Sequence, residues 1–149
     1  MNPQFHLSLP CRHIEATRRF FMEIIGASVG RQSNLWCDIN LFSHQITYTK
    51  CGTFSFDYPN YSFEKTILPS FHFGVVLPAA QWQDLHYRLE REAFLHTPAT
   101  EFLTGRVGAH RSFFVKDPNG YLIEFKSFDK AEEVFVAWNR SIQIGQNRL

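Results

Sequence analysis

Two segments of this chain, Phe5-His6-Leu7-Ser8-Leu9-Pro10 and Phe71-His72-Phe73-Gly74-Val75-Val76-Leu77-Pro78, carry almost the same pattern 66 residues apart. Each is a phenylalanine and a histidine, a mostly apolar run and a proline, and an amphipathic helical pattern follows each. So long a period within 149 residues means one supersecondary unit used twice. A duplicated unit sets its two histidines at equivalent points of two related halves, where they can face each other across one cavity. That constraint organises the rest of the chain.

In the first half, Phe5 to Leu9 reads as a strand ended by Pro10, because proline cannot donate to a ladder. Ile14, Phe20, Phe21, Ile24 and Ile25 then recur at helical spacing, with Gly26 where a helix C-terminus wants it. Leu35 to Phe42 and Gln45 to Thr49 read as two strands meeting at Phe42-Ser43-His44. The second half repeats this: an apolar strand from Phe71 to Leu77, then a helix opened by Pro78 whose buried stripe is Trp82, Leu85 and Leu89. Ser112 to Lys116 and Tyr121 to Phe125 flank Asp117-Pro118-Asn119-Gly120, a strong hairpin turn signal. Asp129-Lys130-Ala131-Glu132 has the form of a capping box opening a short helix, and the tail from Ser141 is polar.

The expectation is a single domain over 1–149: module one at about 4–50, a connection over 50–70, module two at about 71–127, and a C-terminal helix and tail over 128–149. The connection holds Phe54, Phe56, Tyr58, Tyr61 and Phe63, and a loop of that length is expected to act as a lid or to cover the edge of the sheet. The formal charge of +1 and the absence of any basic run argue against a nucleic-acid or membrane partner. Cys11, Cys37 and Cys51 show no CxxC spacing and read as reduced thiols of a cytoplasmic protein.

Side chains alternate along a strand, so His6 and Ser8 share a face, as do His72 and Gly74. Glu124 lies in the apolar strand Tyr121-Leu122-Ile123-Glu124-Phe125, where a carboxylate is costly unless paired or bound to metal. Two imidazoles and a carboxylate from three strands form a facial triad with open positions for substrate or dioxygen. A lone histidine beside phenylalanine is more often a core residue, and Glu124 alone could pair with Arg111 or Lys126. The repeat is what singles these residues out.

The paired modules, with the ending Phe113-Phe114-Val115-Lys116-Asp117-Pro118-Asn119-Gly120-Tyr121-Leu122-Ile123-Glu124-Phe125, resemble the vicinal oxygen chelate superfamily over about residues 5–127. That superfamily includes glyoxalase I, extradiol dioxygenases, fosfomycin-resistance transferases and bleomycin-resistance proteins. The resemblance implies an α+β fold of two βαβββ modules whose curved, partly closed mixed sheet surrounds a central pocket. It also implies a divalent metal on His6, His72 and Glu124, with Fe(II) or Mn(II) favoured and Zn or Ni the alternatives.

Members with four protein ligands carry a further acid or amide in the last strand of module one. Matching Ser43 to Gly120 puts Thr47 opposite Glu124, with Gln45 and Thr49 on the same face and His44 pointing away. Thr47 is a poor ligand and no base, which counts against a glyoxalase I-like proton transfer. Ser8, Gln45, Thr47, Thr49 and Gly74 are the expected substrate-pocket residues. His110 is the candidate acid/base, by likeness to the second-shell histidine of extradiol enzymes.

Three functions follow, in order. The first is a dioxygenase-like enzyme acting on a small substrate with adjacent oxygens. The second is a lyase, isomerase or thiol transferase on the same triad. The third is a metal-free binding protein of the bleomycin-resistance type. A homodimer is the default assembly.

Overall fold

The repeat becomes two copies of one topology. The computed structural model describes residues 2–55 and 57–137. The first copy comprises β1 (His6–Cys11), α1 (Ile14–Arg19, continued by a π-helical turn over Phe20–Ile25), β2 (Ser28–Gln32), β3 (Trp36–Leu41) and β4 (His44–Lys50). A hairpin of β5 (Asn60–Phe63) and β6 (Thr66–Pro69) follows. The second copy comprises β7 (Phe73–Val76), α2 (Ala79–Arg91), β8 (Leu95–Phe102), β9 (His110–Lys116) and β10 (Leu122–Phe128). A 3-10 turn over Ala131–Phe135 comes last.

Strand order is β1-β4-β3-β2 in one sheet and β7-β10-β9-β8 in the other. In each, the first strand runs parallel to the last and the remaining pairs are antiparallel. The two modules are therefore as the repeat implied, and the α+β class is as the resemblance implied. Register completes the equivalence. Ser8 pairs with Thr47 as Gly74 pairs with Glu124, and Asp38 stands across from Thr47 as Phe114 stands across from Glu124.

Alternation decides which face is buried. Leu9, Cys11, Ile39, Leu41, Ile46 and Tyr48 of the first sheet join Phe113, Val115, Ile123 and Phe125 of the second in one core cluster. Phe20, Phe21 and Ile25 from the first helical segment and Trp82, Leu85 and Leu89 from α2 fill the same cluster. Gly26 ends the first helical segment at φ 81°, a left-handed conformation glycine adopts without strain. Arg88 of α2 donates to the carbonyls of Ile24 and Ile25, satisfying acceptors that the helix end leaves open. The residues between the core positions, among them His6, Ser8, Thr47, Gly74 and Glu124, stand on faces turned away from this core.

The Asp117-Pro118-Asn119-Gly120 turn does more than reverse the chain. Asp117 Oδ1 accepts from the backbone N–H groups of Asn119 and Tyr121, and its Oδ2 accepts from Tyr48 Oη at 3.1 Å. Asn119 Nδ2 donates to Thr17 Oγ1, and its Oδ1 accepts the Arg12 N–H at 2.9 Å. Tyr121 Oη donates to the Pro10 carbonyl. The side chains of Asp117, Asn119 and Tyr121 each also bond to the first module, so this turn clasps the two copies together.

Four expectations need correcting. The first strand does not stop at Pro10 but runs to Cys11, because β1 is an edge strand and loses no ladder bond to a proline. The second strand begins at Phe73, leaving His72 one residue before it with its ring on the Pro69 carbonyl. The connection is not an open loop, since it contains the β5–β6 hairpin. The capping box does not form either. Lys130 occupies the cap with no side-chain bond, and Glu133 instead accepts the Gly108 N–H. The polar tail from Ser141 lies outside the described residues.

Candidate metal centre

The second sheet brings His72 and Glu124 together on its outer face. His72 Nε2 lies 3.4 Å from Glu124 Oε2, and Lys126 Nζ lies 3.3 Å from the same oxygen. Glu124 is only 8% exposed. Its charge is held by what surrounds it. Burial alone would raise its pKa, but the His72 bond, the Lys126 ammonium and the neighbouring Ser112 hydroxyl keep it below the usual carboxylate range. That hydroxyl is itself buried and has no hydrogen bond of ordinary geometry.

His72 is oriented from its other side. Nδ1 lies 2.8 Å from the Pro69 carbonyl, and a carbonyl can only accept, so Nδ1 carries the hydrogen. In the neutral ring, Nε2 then presents a lone pair to a carboxylate oxygen that also presents one. A cation relieves that meeting: a proton on the ring, a metal ion between the two groups, or the Lys126 ammonium already beside that oxygen. The proton alternative is favoured by the pair itself, because the Glu124 bond raises the His72 pKa above its ordinary 6.5 against the opposing effect of burial. A backbone carbonyl that accepts from one imidazole nitrogen, leaving the other for an ion, is how metal-ligating histidines are oriented. The pair offers two donor groups of the kind a divalent ion takes.

The third residue expected as a ligand is not beside them. His6 is exposed at the start of β1, on the outer face of the other sheet. Among the described residues no three His, Cys, Asp or Glu side chains form a group able to hold a metal. Ser8 and Thr49 are also exposed on that first face, and Gln45 and Thr47 are partly buried there. Gly74 lies against Glu124, where an added Cβ would meet the Glu124 carbonyl oxygen at 1.8 Å, so it shapes the second face without offering a functional group.

His110 sits on the outer face of β9, two residues from Ser112. Its ring lies between Phe102 and Phe128, with centroids at 5.3 and 5.1 Å, and Nδ1 bonds the Gly108 carbonyl at 2.7 Å. Burial among these rings lowers its pKa despite the Gly108 bond, and a carbonyl on Nδ1 leaves the lone pair at Nε2 in the neutral ring.

Sequence reasoning missed Asp38. This residue, 5% exposed, accepts from Thr47 Oγ1 at 2.7 Å and from Arg31 Nε at 3.1 Å. Burial opposes ionisation, but Thr47, Gln45 and Arg31 outweigh it and lower the pKa. A cleft of about 330 Å3 on this face is lined by Arg31, Asp38, Asn40, Gln45 and also His44, against the expectation that His44 points away from it. The signal available in sequence was an aspartate inside an apolar strand, the same signal that marked Glu124.

Comparisons with known proteins bear on this arrangement. The family model described as Glyoxalase/Bleomycin resistance protein/Dioxygenase superfamily matches residues 4–125. Among solved structures, a glyoxalase/bleomycin resistance protein/dioxygenase from Alicyclobacillus acidocaldarius superposes with a TM-score of 0.75 at 19% identity, covering 90% of this chain and 97% of that one. The fosfomycin resistance protein FosX from Listeria monocytogenes gives 0.60 at 16% identity, covering 89% and 98%. Lactoylglutathione lyase from Agrobacterium tumefaciens gives 0.58 at 11% identity, covering 85% and 94%. A search of curated proteins returns no match to this chain. At these identities the structural likenesses establish the fold.

Proposed function

Because the chain belongs to the Glyoxalase/Bleomycin resistance protein/Dioxygenase superfamily, we propose that it is a metal-dependent, dioxygenase-like enzyme acting on a small substrate that presents adjacent oxygens. The observation that carries this reading is His72 Nε2 standing 3.4 Å from the buried Glu124 Oε2, with Nδ1 already committed to Pro69. His72, Glu124 and His6 would hold the ion, leaving open positions for a chelating substrate. When bound, a divalent ion lowers the pKa of a coordinated hydroxyl and supplies a place for dioxygen.

The chain's own residues do the rest. Pro69 fixes the His72 tautomer. Lys126 offsets charge at Glu124, and His110, neutral and half-buried, is the base that takes the substrate proton at Nε2. Asp38 is a poorer base, since Thr47, Gln45 and Arg31 lower its proton affinity. That favours chelation-led chemistry over a proton transfer run from the first module.

His6 lies on the other sheet, so the site we propose is completed by His6 of the partner subunit in a symmetric dimer. The outer face of the first sheet would bring Ser8, Gln45, Thr47 and Thr49 with it to line the substrate pocket.

A second reading, a metal-free protein that binds a small molecule, is favoured by one observation: Lys126 already gives Glu124 a cation. Plasma mass spectrometry of anaerobically purified protein separates the two. Near-stoichiometric iron or manganese, lost in both His6→Ala and His72→Ala, is the expected result. Nickel or zinc moves the reading to a lyase or transferase on the same residues. No metal even after reconstitution overturns it in favour of the binding protein. Mixing the two variants tests the shared site, because each mixed dimer then regains one intact metal centre. A mixture that stays metal-free assigns both histidines to sites within one chain.

A further inference from the structure

Among the described residues, the β5–β6 hairpin is held unlike any other strand pair. Its strands bond only to each other, with Tyr61 opposite Leu68 and Phe63 opposite Thr66. Among the described residues, no backbone hydrogen bond ties residues 60–69 to either four-stranded sheet. The turn residues Glu64 and Lys65 have φ of 48° and 65°, the tight two-residue turn that matches strand twist. A two-stranded hairpin is not stable by itself and needs a surface to lie on.

That surface is the outer face of the second sheet. Alternation puts Tyr61, Phe63, Thr66 and Leu68 on one face of the hairpin and Ser62 and Ile67 on the other. Leu68 is 5% exposed and Ile67 65%, which identifies the covered side. Leu68 and Phe63 join Phe102, Phe114 and Leu122 in a small cluster separate from the main core. Phe63 and Phe102 lie 5.6 Å apart, and Glu64 pairs with Arg106 beside them. Phe114 is the residue directly across from Glu124, and Tyr61 feels the Glu124 charge. The hairpin therefore covers the His72–Glu124 pair.

We propose that the β5–β6 hairpin is a lid over the His72–Glu124 pair, which swings on residues 57–59 and Ser70. It lifts to admit the ion and substrate and shuts on the Leu68–Phe63 seat and the Glu64–Arg106 pair. Closure also sets the ligand, because Pro69 at the end of the lid holds Nδ1 of His72. What the lid admits rests on the metal reading above, whereas its existence as a separately opening unit does not. Its seat is a few apolar side chains and one part-exposed ion pair, with the Tyr58–Phe71 stack and the Pro69–His72 bond at its base, while β9 and β10 are tied into a sheet and the main core. Elements so lightly held occupy the low-stability end of a fold.

Amide hydrogen exchange by mass spectrometry, comparing residues 57–70 with residues 110–128, tests the opening. Stopped-flow uptake of Co(II), followed by its absorbance, tests what the opening admits. The hairpin amides are expected to exchange as one unit, well before those of β9 and β10. Leu68→Ala should speed hairpin exchange about tenfold or more by removing the seat, leaving β9 and β10 unchanged. Co(II) uptake should rise in the same proportion. Glu64→Gln removes only a part-exposed pair and should act about two- to threefold. Hairpin exchange in step with β10 overturns the lid. So does a Leu68→Ala protein that exchanges faster yet takes up Co(II) at the wild-type rate. A wild type that takes up no Co(II) removes the metal reading, and the exchange comparison still decides whether the hairpin opens alone.

Discussion

The two modules share strand order, register and a helix-filled core, yet their outer faces carry opposite solutions to one problem. At equivalent places in the sheet stand Ser8, Thr47 and Asp38 in the first module and Gly74, Glu124 and Phe114 in the second. Each row holds one buried carboxylate, but the two have changed strands. In the first module the acid is on β3, and a threonine hydroxyl, an amide and an arginine satisfy it. In the second it is on β10, and its neighbours are an imidazole and an ammonium. The first carboxylate is saturated by fixed donors, while the second shares its charge with a group whose proton can leave. The fold is duplicated and the chemistry is not.

The comparison breaks most violently at the first position of the row. Ser8 carries a side chain without difficulty, whereas a Cβ on Gly74 would fall 1.8 Å from the Glu124 carbonyl oxygen and 2.9 Å from its nitrogen. Gly74→Ala must push β7 from β10 or abandon the parallel pairing. We expect a loss of about 3 kcal/mol or more from such overpacking against backbone, against less than about 0.5 kcal/mol for the equivalent Ser8→Ala. Urea denaturation of both variants checks this. Equal midpoints would mean that the two first strands are not held alike.

Next in size is Asp38. Asp38→Ala removes the acceptor of half-buried Thr47 and Gln45 and of exposed Arg31, and should cost about 1–2 kcal/mol. Metal retention should be unchanged by Asp38→Asn, whereas Glu124→Gln, the same change in the other row, should lower divalent-metal affinity by about 10-fold or more. A metal loss in Asp38→Asn equal to that in Glu124→Gln would make the rows chemically alike.

Much of this was legible before any coordinates. The repeated Phe-His segments encode equivalent strands because a duplicated unit buries the same alternate positions twice. The Asp-Pro-Asn-Gly turn was readable as a turn, but its larger role was not. Its bonds to Arg12, Thr17 and Tyr48 cross about 70 to 110 residues of chain, a separation that local turn chemistry does not register. Strands β2 and β8 escaped because they are edges. Ser28-Val29-Gly30-Arg31-Gln32 is almost wholly exposed, and β8 carries Pro98 and two register shifts, so neither shows alternation. The hairpin escaped because Asn60 to Pro69 lies within an aromatic-rich connection, and its turn residues Glu64-Lys65 are not the usual Asn-Gly. Asp38 escaped because it was weighed as part of a strand and not against the strand beside it. Whether His6 meets His72 depends on how two modules pack, and no local pattern carries that.

The smallest expected effect follows from titration of the second row. His72 has a raised pKa, so its contribution to stability is full below its ordinary 6.5 and fades as pH climbs through the higher folded value. Glu124 has a lowered pKa, so its contribution is full above its ordinary 4.5 and fades as pH falls through the lower folded value. The pair therefore stabilises most between 4.5 and 6.5, by about 1 kcal/mol or less, because 3.4 Å is long for a hydrogen bond. The stability difference between wild type and His72→Gln, followed by urea denaturation across that range, should peak within it and shrink toward alkaline pH. Metal affinity should move the opposite way over the same alkaline limb, since an ion needs the lone pair that the proton occupies. Parallel rather than opposite slopes would mean that the proton on His72 and the metal do not compete for Nε2, and the second carboxylate would then be as structural as the first.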